Sequence, residues 1–249
     1  MRGHFTTPSG ETYNLFDDML TRPHLLVAGA TGSGKSVAIN GIISSALYHM
    51  PGDNSGAVSF ILIDPKRVEL ARYKGIPHVL SYASEPDQII SALRYALTLT
   101  ESRYKSMQKR GELKYTGGDV YIIIDEFADL VLTQGRIVRP IIQRLAQIGR
   151  AARVHIIMAT QTPVREVIPT PIKCNFDCRL GLRTRSAQDS RNILDHSGLE
   201  TLPAYGQGIY MRPEGETLYV IPYVPEAEIA RLVEHWRRQT PMLWKILNR

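Results

Sequence analysis

The stretch AGATGSGKSVAIN, residues 28–40, constrains the fold of this chain more than any other. Its residues 29–36 fit the pattern G-x-x-x-x-G-K-[ST] without a mismatch, and they stand between an apolar run and a segment with helical spacing. A glycine-rich turn that opens a helix lets backbone N–H groups and the positive helix end reach phosphate oxygens, which side chains would obstruct. The stretch therefore predicts a phosphate-binding loop at the end of a buried strand.

Two side chains of this loop have distinct predicted roles. Lys35 brings a full positive charge to the β- and γ-phosphates of a nucleotide, and Ser36 offers a hydroxyl to Mg²⁺. ATP and Mg²⁺ are thus the expected cofactors. The predicted nucleotide-binding residues are Gly29, Ala30, Thr31, Gly32, Ser33, Gly34, Lys35 and Ser36.

Apolar runs alternate with helical segments along the chain, which is typical of an α/β fold. Continuous apolar runs read as strands buried on both faces, so a mostly parallel central sheet with helices on both faces is predicted. After residue 205 the pattern changes to a small C-terminal hairpin and a terminal amphipathic helix. Pro140 is expected near the start of the third helix. The predicted strands are 24–29, 57–64, 119–126, 154–161 and 178–183, and the predicted helices include 35–49, 86–110 and 136–152.

The run DVYIIIDE, residues 119–126, supplies two acids at the end of a predicted strand. Asp125 would hold Mg²⁺ through its water shell, as an aspartate does in P-loop enzymes. Glu126 is placed to polarise the attacking water. The alternative is that both acids simply precede and cap the helix that starts at FADLVL.

Two further strand ends carry polar residues. Gln161, after VHIIMAT, could hydrogen-bond the γ-phosphate or the attacking water, or be an ordinary polar residue that ends a strand. Asp64 and Lys66 follow another strand and belong to the edge where open α/β sheets bind ligands. Spacing alone leaves their role open between a ligand site and a strand-end turn.

Composition sets broad limits on the function. The net charge of +6 suggests an anionic partner as readily as a mildly basic globular protein. The N-terminus has no apolar core of a signal peptide, and no apolar run approaches membrane-spanning length, so a cytoplasmic location is expected. Cys174 and Cys178 are too few for a disulfide framework and lack further ligands for a metal site.

The combined motifs resemble the motor domain of the FtsK/SpoIIIE DNA translocases. The resemblance covers about residues 20–240, and the runs IDPKRVEL and DEFADL are more specific than the phosphate loop. It implies a RecA-like ATPase that assembles as a homo-hexameric ring around double-stranded DNA and pumps it. It also implies nucleotide sites between neighbouring subunits, completed by an arginine from the adjacent one. Arg150 matches that arginine, whereas Arg153 stands where relatives usually have glycine.

The resemblance also implies loops that contact the DNA backbone in the ring channel. The matching region, residues 162–191, holds six basic against three acidic side chains. Lys173 and Arg191 match family positions, whereas Thr162 and Ala187 replace the usual basic residues and leave Arg165 and Arg185 as nearby substitutes. The expected DNA-binding residues are therefore Arg165, Lys173, Arg185 and Arg191.

Three functions remain open at this stage. They are a DNA-pumping ATPase, a related motor that moves protein, and a nucleotide-dependent assembly module that hydrolyses slowly. The basic residues after Gln161 and the specific motifs favour the first. The expected organisation is a lead-in over 1–20, a motor domain over 21–240 and a tail over 241–249, either excised from a longer protein or free-standing in a mobile element.

Overall fold

A ten-stranded sheet runs through the computed structural model, which describes residues 5–13, 22–48 and 58–239. Its strand order is β2-β1-β10-β9-β8-β3-β7-β6-β4-β5, in which the six strands from β8 to β5 run parallel and the others pair antiparallel. The strands are β1 (Phe5–Thr6), β2 (Thr12–Tyr13), β3 (His24–Ala28), β4 (Ser59–Ile63), β5 (Val79–Ala83), β6 (Val120–Ile124), β7 (Val154–Thr160), β8 (Cys178–Leu182), β9 (Gln207–Arg212) and β10 (Gly215–Val220).

Helices cover both faces of the sheet and divide the core in two. The first and last helices pack with Tyr73 on one face, and the remaining helices pack on the other. The predicted fold class, a mostly parallel α/β sheet with a C-terminal hairpin and terminal helix, is confirmed. The helices are α1 (Lys35–Tyr48), α2 (Pro86–Arg110), α3 (Phe127–Ile148), α4 (Thr170–Lys173), α5 (Ala187–Leu194) and α6 (Glu226–Gln239).

Helix α2 spans the predicted residues 86–110 because both of its ends carry strong signals. Pro86 occupies the first turn, where its missing N–H costs nothing. The side chain of Gln88 accepts a hydrogen bond from the backbone N–H of Glu85 at 3.3 Å, as in a capping box. Gly111 ends the helix in the left-handed conformation, with φ of 66°.

Helix α3 departs from its predicted bounds of 136–152. It starts at Phe127, directly after the two acids, and ends at Ile148. A kink at Gln134, with φ of −140°, divides it, so Pro140 lies inside the helix rather than near its start. Apolar spacing predicted the second part of the helix. It did not predict the shorter first part, which directly follows the acidic end of β6. The predicted end at residue 152 was too late, because residues 149–153 form the turn that leads into β7.

Two parts of the sheet lay outside the predicted strands. Strand β5 carries exposed and half-buried side chains at the sheet edge, which weakens its apolar signal. Residues 5–13, expected as a lead-in, form β1 and β2, and Thr6 of β1 pairs with Val220 of β10. The predicted tail over 241–249 lies outside the described residues.

The side chain of His24 joins two elements at the amino-terminal edge of the parallel strands. Its Nδ1 accepts a hydrogen bond from the backbone N–H of Ile156 at 3.1 Å, so its Nε2 carries the proton and donates to the carbonyl of Ala146 at 2.9 Å. Burial, reinforced by the neighbouring His155, lowers the pKa of His24 from 6.5 to about 3. The ring is therefore neutral in the native protein.

This depressed pKa makes folding stability depend on pH. Below pH 6.5 the unfolded chain takes up a proton at His24 that the native chain excludes until about pH 3, so the free energy of unfolding falls as pH falls. At about 1.4 kcal/mol per pH unit, the loss between pH 7.5 and 5.0 should be about 2 kcal/mol larger in the wild type than in His24→Gln. Urea denaturation at both values measures this. The exposed His235→Gln serves as control, and equal losses in wild type and His24→Gln would contradict the prediction.

Candidate active site

The residues that follow four neighbouring strands converge at the carboxyl edge of the sheet. Because β3, β7, β6 and β4 are adjacent and parallel, the segments after them lie side by side. These segments carry the glycine-rich loop, Gln161, the acids Asp125 and Glu126, and the turn from Asp64 to Lys66. The folded chain thus brings together residues that are up to 132 positions apart.

The loop over residues 29–36 has glycine where the backbone demands it. Gly32 and Gly34 have φ values of 79° and 101°, which L side chains rarely adopt. A Cβ on Gly29 would lie 2.7 Å from both the Leu182 Cβ and the Ser33 Oγ. Helix α1 starts at Lys35, so its first N–H groups lack intrahelical partners.

This backbone fits a phosphate group. The hydroxyl of Ser33 is buried and has no hydrogen-bond partner among the described residues. A polyphosphate would supply acceptors for that hydroxyl and for the first N–H groups of α1. Ser36 and Asp125 are hard oxygen donors of the kind that Mg²⁺ prefers.

The ammonium group of Lys35 lies among two buried carboxylates. Its Nζ is 3.2 Å from Asp125 Oδ1 and 3.9 Å from Glu126 Oε2, and it donates to the Asp125 carbonyl at 2.5 Å. The three side chains are 5%, 4% and 2% exposed. Burial raises the pKa of Asp125, and the charge of Lys35 opposes that shift. Lys35 therefore compensates negative charge that would otherwise be costly to bury.

Glu126 is held by several donors on neighbouring strand ends. Its Oε1 accepts from Thr160 Oγ1 at 2.8 Å and from the Gln161 N–H at 3.1 Å. The ammonium of Lys66 lies 3.6 Å from Oε2. Gln161 in turn accepts a hydrogen bond from Thr31 of the loop at 2.8 Å. A continuous chain of contacts thus joins the phosphate loop to the second acid.

The sequence left open whether the residues after β4 belong to a ligand site or only form a turn, and the structure shows one residue of each kind. Asp64 is fully buried, and its Oδ2 accepts from the backbone N–H of Leu70 at 3.0 Å, so it organises the turn. Lys66 instead extends into the acidic cluster, where it approaches both Glu126 and Asp129. The sequence placed Lys66 at this edge without a defined role. Thr160 is a site residue without a distinct sequence signal, because only the adjacency of strands reveals it.

The two arginines of the turn before β7 differ in their surroundings. Arg153 has a φ of 54° and forms a two-pronged ion pair with the buried Asp119. Arg150 is exposed and has no ion pair within the described part of the chain. A Cβ on Gly149 would lie 2.2 Å from the Val154 carbonyl oxygen, so the turn is closely packed. Arg150 thus projects from a fixed turn at the edge opposite the phosphate loop.

The four residues expected to bind DNA do not form one group. Arg165 and Arg185 are exposed in the loops after β7 and β8, at the same edge as the phosphate loop. Arg185 also lines a groove of about 220 Å³ together with Thr31 and Gln161. Lys173 lies before the start of β8, where its Nζ is 2.7 Å from Asp195 Oδ1. The exposed Arg191 lies on α5 between these regions.

A pocket of about 350 Å³ extends from the loop along the first turn of α1. Two tyrosines that the sequence analysis did not single out, Tyr205 and Tyr223, form part of its wall. They flank the C-terminal hairpin and gave no motif signal.

Comparisons with known proteins agree with the family resemblance of the sequence motifs. The FtsK/SpoIIIE family model matches residues 6–122 and 117–165. DNA translocase FtsK of Rickettsia prowazekii is 38% identical in an alignment 265 positions long, which covers 89% of this chain and 35% of the relative. DNA translocase FtsK of Rhizobium meliloti is 38% identical in an alignment 266 positions long, which covers 89% of this chain and 30% of the relative. The chain thus spans about a third of the length of these curated relatives.

Solved structures share the fold at lower identity. The cytoplasmic domain of the Thermomonospora curvata type VII secretion ATPase EccC has a TM-score of 0.79 at 21% identity, with 94% of this chain and 30% of that chain covered. The pCW3 conjugation coupling protein TcpA, in its monomer form with ATPγS, has a TM-score of 0.77 at 20% identity, with 94% and 71% covered. None of the helices within the described residues is long and apolar enough to cross a membrane. Together with the family match and the 38% identical relatives, the motifs at the sheet edge establish that the chain belongs to the FtsK/SpoIIIE family.

Proposed function

We propose that this chain is the motor of an ATP-driven double-stranded DNA translocase, with its ATP sites at the subunit interfaces of a homo-hexameric ring. The observation that carries the proposal is the convergence of the phosphate loop, Asp125, Glu126 and Gln161 at one sheet edge in a member of this family. Relatives named DNA translocase FtsK support DNA as the substrate. The fold alone is shared with a secretion ATPase and a conjugation coupling protein, so it does not decide what is moved.

Each side chain at this edge has a role in ATP hydrolysis under the proposal. The loop N–H groups and Lys35 bind the phosphates and orient the γ-phosphoryl group. Bound through Ser36 and Asp125, Mg²⁺ would neutralise charge on the phosphates. Glu126 accepts a proton from the attacking water, and the Gln161 side chain positions that water. Lys66 and Thr160 hold the Glu126 carboxylate in the structure described above, and their contacts must loosen for Glu126 to reach water.

Arg150 can complete only another subunit's site. The phosphate loop follows the end of β3, whereas Arg150 precedes the start of β7, which is parallel to β3. Seven residues of β7 separate the two edges by roughly 20 Å. A guanidinium at that distance supports a role in trans, which requires neighbouring subunits to pack edge to edge. Arg153 is excluded from this role because Asp119 binds it.

The exposed arginines at the carboxyl edge support contact with a polyanion. Arg165 lies in the loop after β7, whose end carries Gln161, and Arg185 lies in the loop after β8, the neighbour of β3. Contacts from such side chains to DNA phosphates carry no base information, as a motor that moves over arbitrary sequence requires. Arg191 is available for the same contact, whereas Lys173 must first leave Asp195.

The proposal predicts ATP hydrolysis that linear duplex DNA stimulates in a salt-dependent manner. The DNA concentration that gives half-maximal stimulation should rise steeply between 50 and 200 mM salt, because binding to DNA phosphates releases counterions and the logarithm of the affinity falls by roughly 0.9 per log unit of salt for each contact. The double variant Arg165→Ala/Arg185→Ala should reduce the slope of log affinity against log salt by about 2, whereas Lys173→Ala should change it less. ATPase assays with a DNA titration at each salt concentration measure this. A rate indifferent to DNA would refute the translocase proposal and favour a protein-moving motor or an assembly module.

Lys35→Ala should abolish ATP binding, because the phosphates lose the buried cation at the end of the loop. Isothermal titration with ATP and Mg²⁺ measures the affinity, and circular dichroism checks that the variant is folded. Lys66→Ala is the matched control: it removes a second lysine that contacts the same Glu126 but is 43% exposed, and it should retain binding. Tight ATP binding by folded Lys35→Ala would show that the phosphate loop has been misread.

Arg150→Ala should spare ATP binding and reduce hydrolysis by about 10³-fold or more, the range of arginine fingers in other P-loop enzymes. Arg144→Ala, which removes an exposed arginine from the surface of α3, should leave the rate unchanged. A mixture of Arg150→Ala and Lys35→Ala subunits should recover part of the activity, since each supplies what the other lacks. Full activity of Arg150→Ala alone, or no recovery in the mixture, would contradict action in trans.

A further inference from the structure

Two exposed tyrosines form part of the wall of the 350 Å³ pocket beside the phosphate loop. Tyr205 and Tyr223 are 75% and 72% exposed, the largest values among the tyrosines whose burial the structure describes. Both line the same cavity as Gly34, Lys35 and Ser36. The cavity therefore continues from the phosphate loop onto an aromatic surface.

Backbone contacts fix the position of both tyrosines relative to α1. The N–H of Ile221 donates to the carbonyl of Gly206 at 2.9 Å, which ties the segment after Tyr205 to the segment before Tyr223. Pro222 packs on α1 so closely that a Cβ on Gly41 would lie 3.0 Å from its Cγ. These contacts hold the segments that carry the two tyrosines beside α1.

The lining of the pocket combines two kinds of groups. The loop contributes backbone N–H groups and Lys35, which suit a polyphosphate. The segments that flank the hairpin contribute Ile221 and the two tyrosines, which are apolar or aromatic. A nucleoside triphosphate joins the same two kinds of groups, since its phosphates lead through a sugar to a flat aromatic base. Base stacking on aromatic side chains is favourable and tolerant of base identity.

We propose that Tyr205 and Tyr223 form the nucleobase subsite of this chain, in which one or both rings stack on the base of a nucleoside triphosphate bound at the phosphate loop. The inference rests on the proposed ATP site and adds which residues bind the base. Because stacking is tolerant of base identity, the subsite should accept any purine triphosphate with similar affinity.

The test compares ATP with inorganic tripolyphosphate, which has the phosphates but no base. In the wild type, ATP should bind more tightly than tripolyphosphate, both measured by isothermal titration with Mg²⁺. In Tyr205→Ala/Tyr223→Ala, ATP affinity should fall by about 10-fold or more while tripolyphosphate affinity stays the same. Tyr205→Phe/Tyr223→Phe keeps the rings and should retain wild-type affinity for both ligands, and thermal unfolding checks each variant.

Each other result overturns the subsite. Unchanged ATP affinity in the alanine variant would show that the base does not contact the rings. An equal loss of both ligands would place the effect on the phosphates or on folding. A change in oligomeric state by sedimentation velocity, with ATP affinity unchanged, would show that the tyrosines form a subunit contact instead. If wild type binds neither ligand and behaves as Lys35→Ala does, the ATP site itself fails, and that outcome is distinct from the other three.

Discussion

The site depends on the contacts of the buried Lys35 ammonium with the carboxylates of Asp125 and Glu126. Asp125 and Glu126 follow one strand and are almost fully shielded from water, and burying two adjacent carboxylates without compensation costs several kcal/mol each. Lys35 is the first residue of α1, which follows a different strand, and it contacts both. The same charge that compensates the acids is the one that a phosphate would attract. Under the proposed function, nucleotide binding would compete with an internal ion pair and would link the occupancy of the loop to the electrostatics of the acids.

A second set of contacts links the loop to the acid that would activate water. Thr31 bonds to the side chain of Gln161, whose backbone N–H bonds to Glu126. A γ-phosphate that displaced Thr31 from Gln161 would act on the segment after β7. Arg165 lies four residues further along that segment, and Arg185 borders the same groove as Gln161. Under the proposed function, the phosphate would act through Thr31 and Gln161 on the segment that leads to Arg165.

The opposite edge of the sheet is built for rigidity. Asp119 binds Arg153 and His155, and the neutral His24 ties the end of α3 to β7. Such rigidity would suit the proposed role of Arg150 in a neighbouring subunit's site, because misplacement by about 1 Å can cost a factor of about 10² in rate. Arg153 occupies a left-handed position that suits glycine, and its ion pair with Asp119 offsets that strain. Arg150, three residues earlier, is left to project.

The sequence by itself determined the fold class, the phosphate loop, the two acids and Gln161, because each depends on local pattern: apolar runs, glycines and polar strand ends. It also led to the family, since motifs such as DEFADL are contiguous. It predicted only part of α3, because packing rather than apolar periodicity decides the kink at Gln134 and the turn before β7. The strand order decided the rest. Thr160 and the tyrosine wall join the site, Lys66 contacts Glu126, and Lys173 binds Asp195. These contacts join segments far apart in the chain, so no local pattern predicts them, although the sequence had already placed Lys66 at this sheet edge.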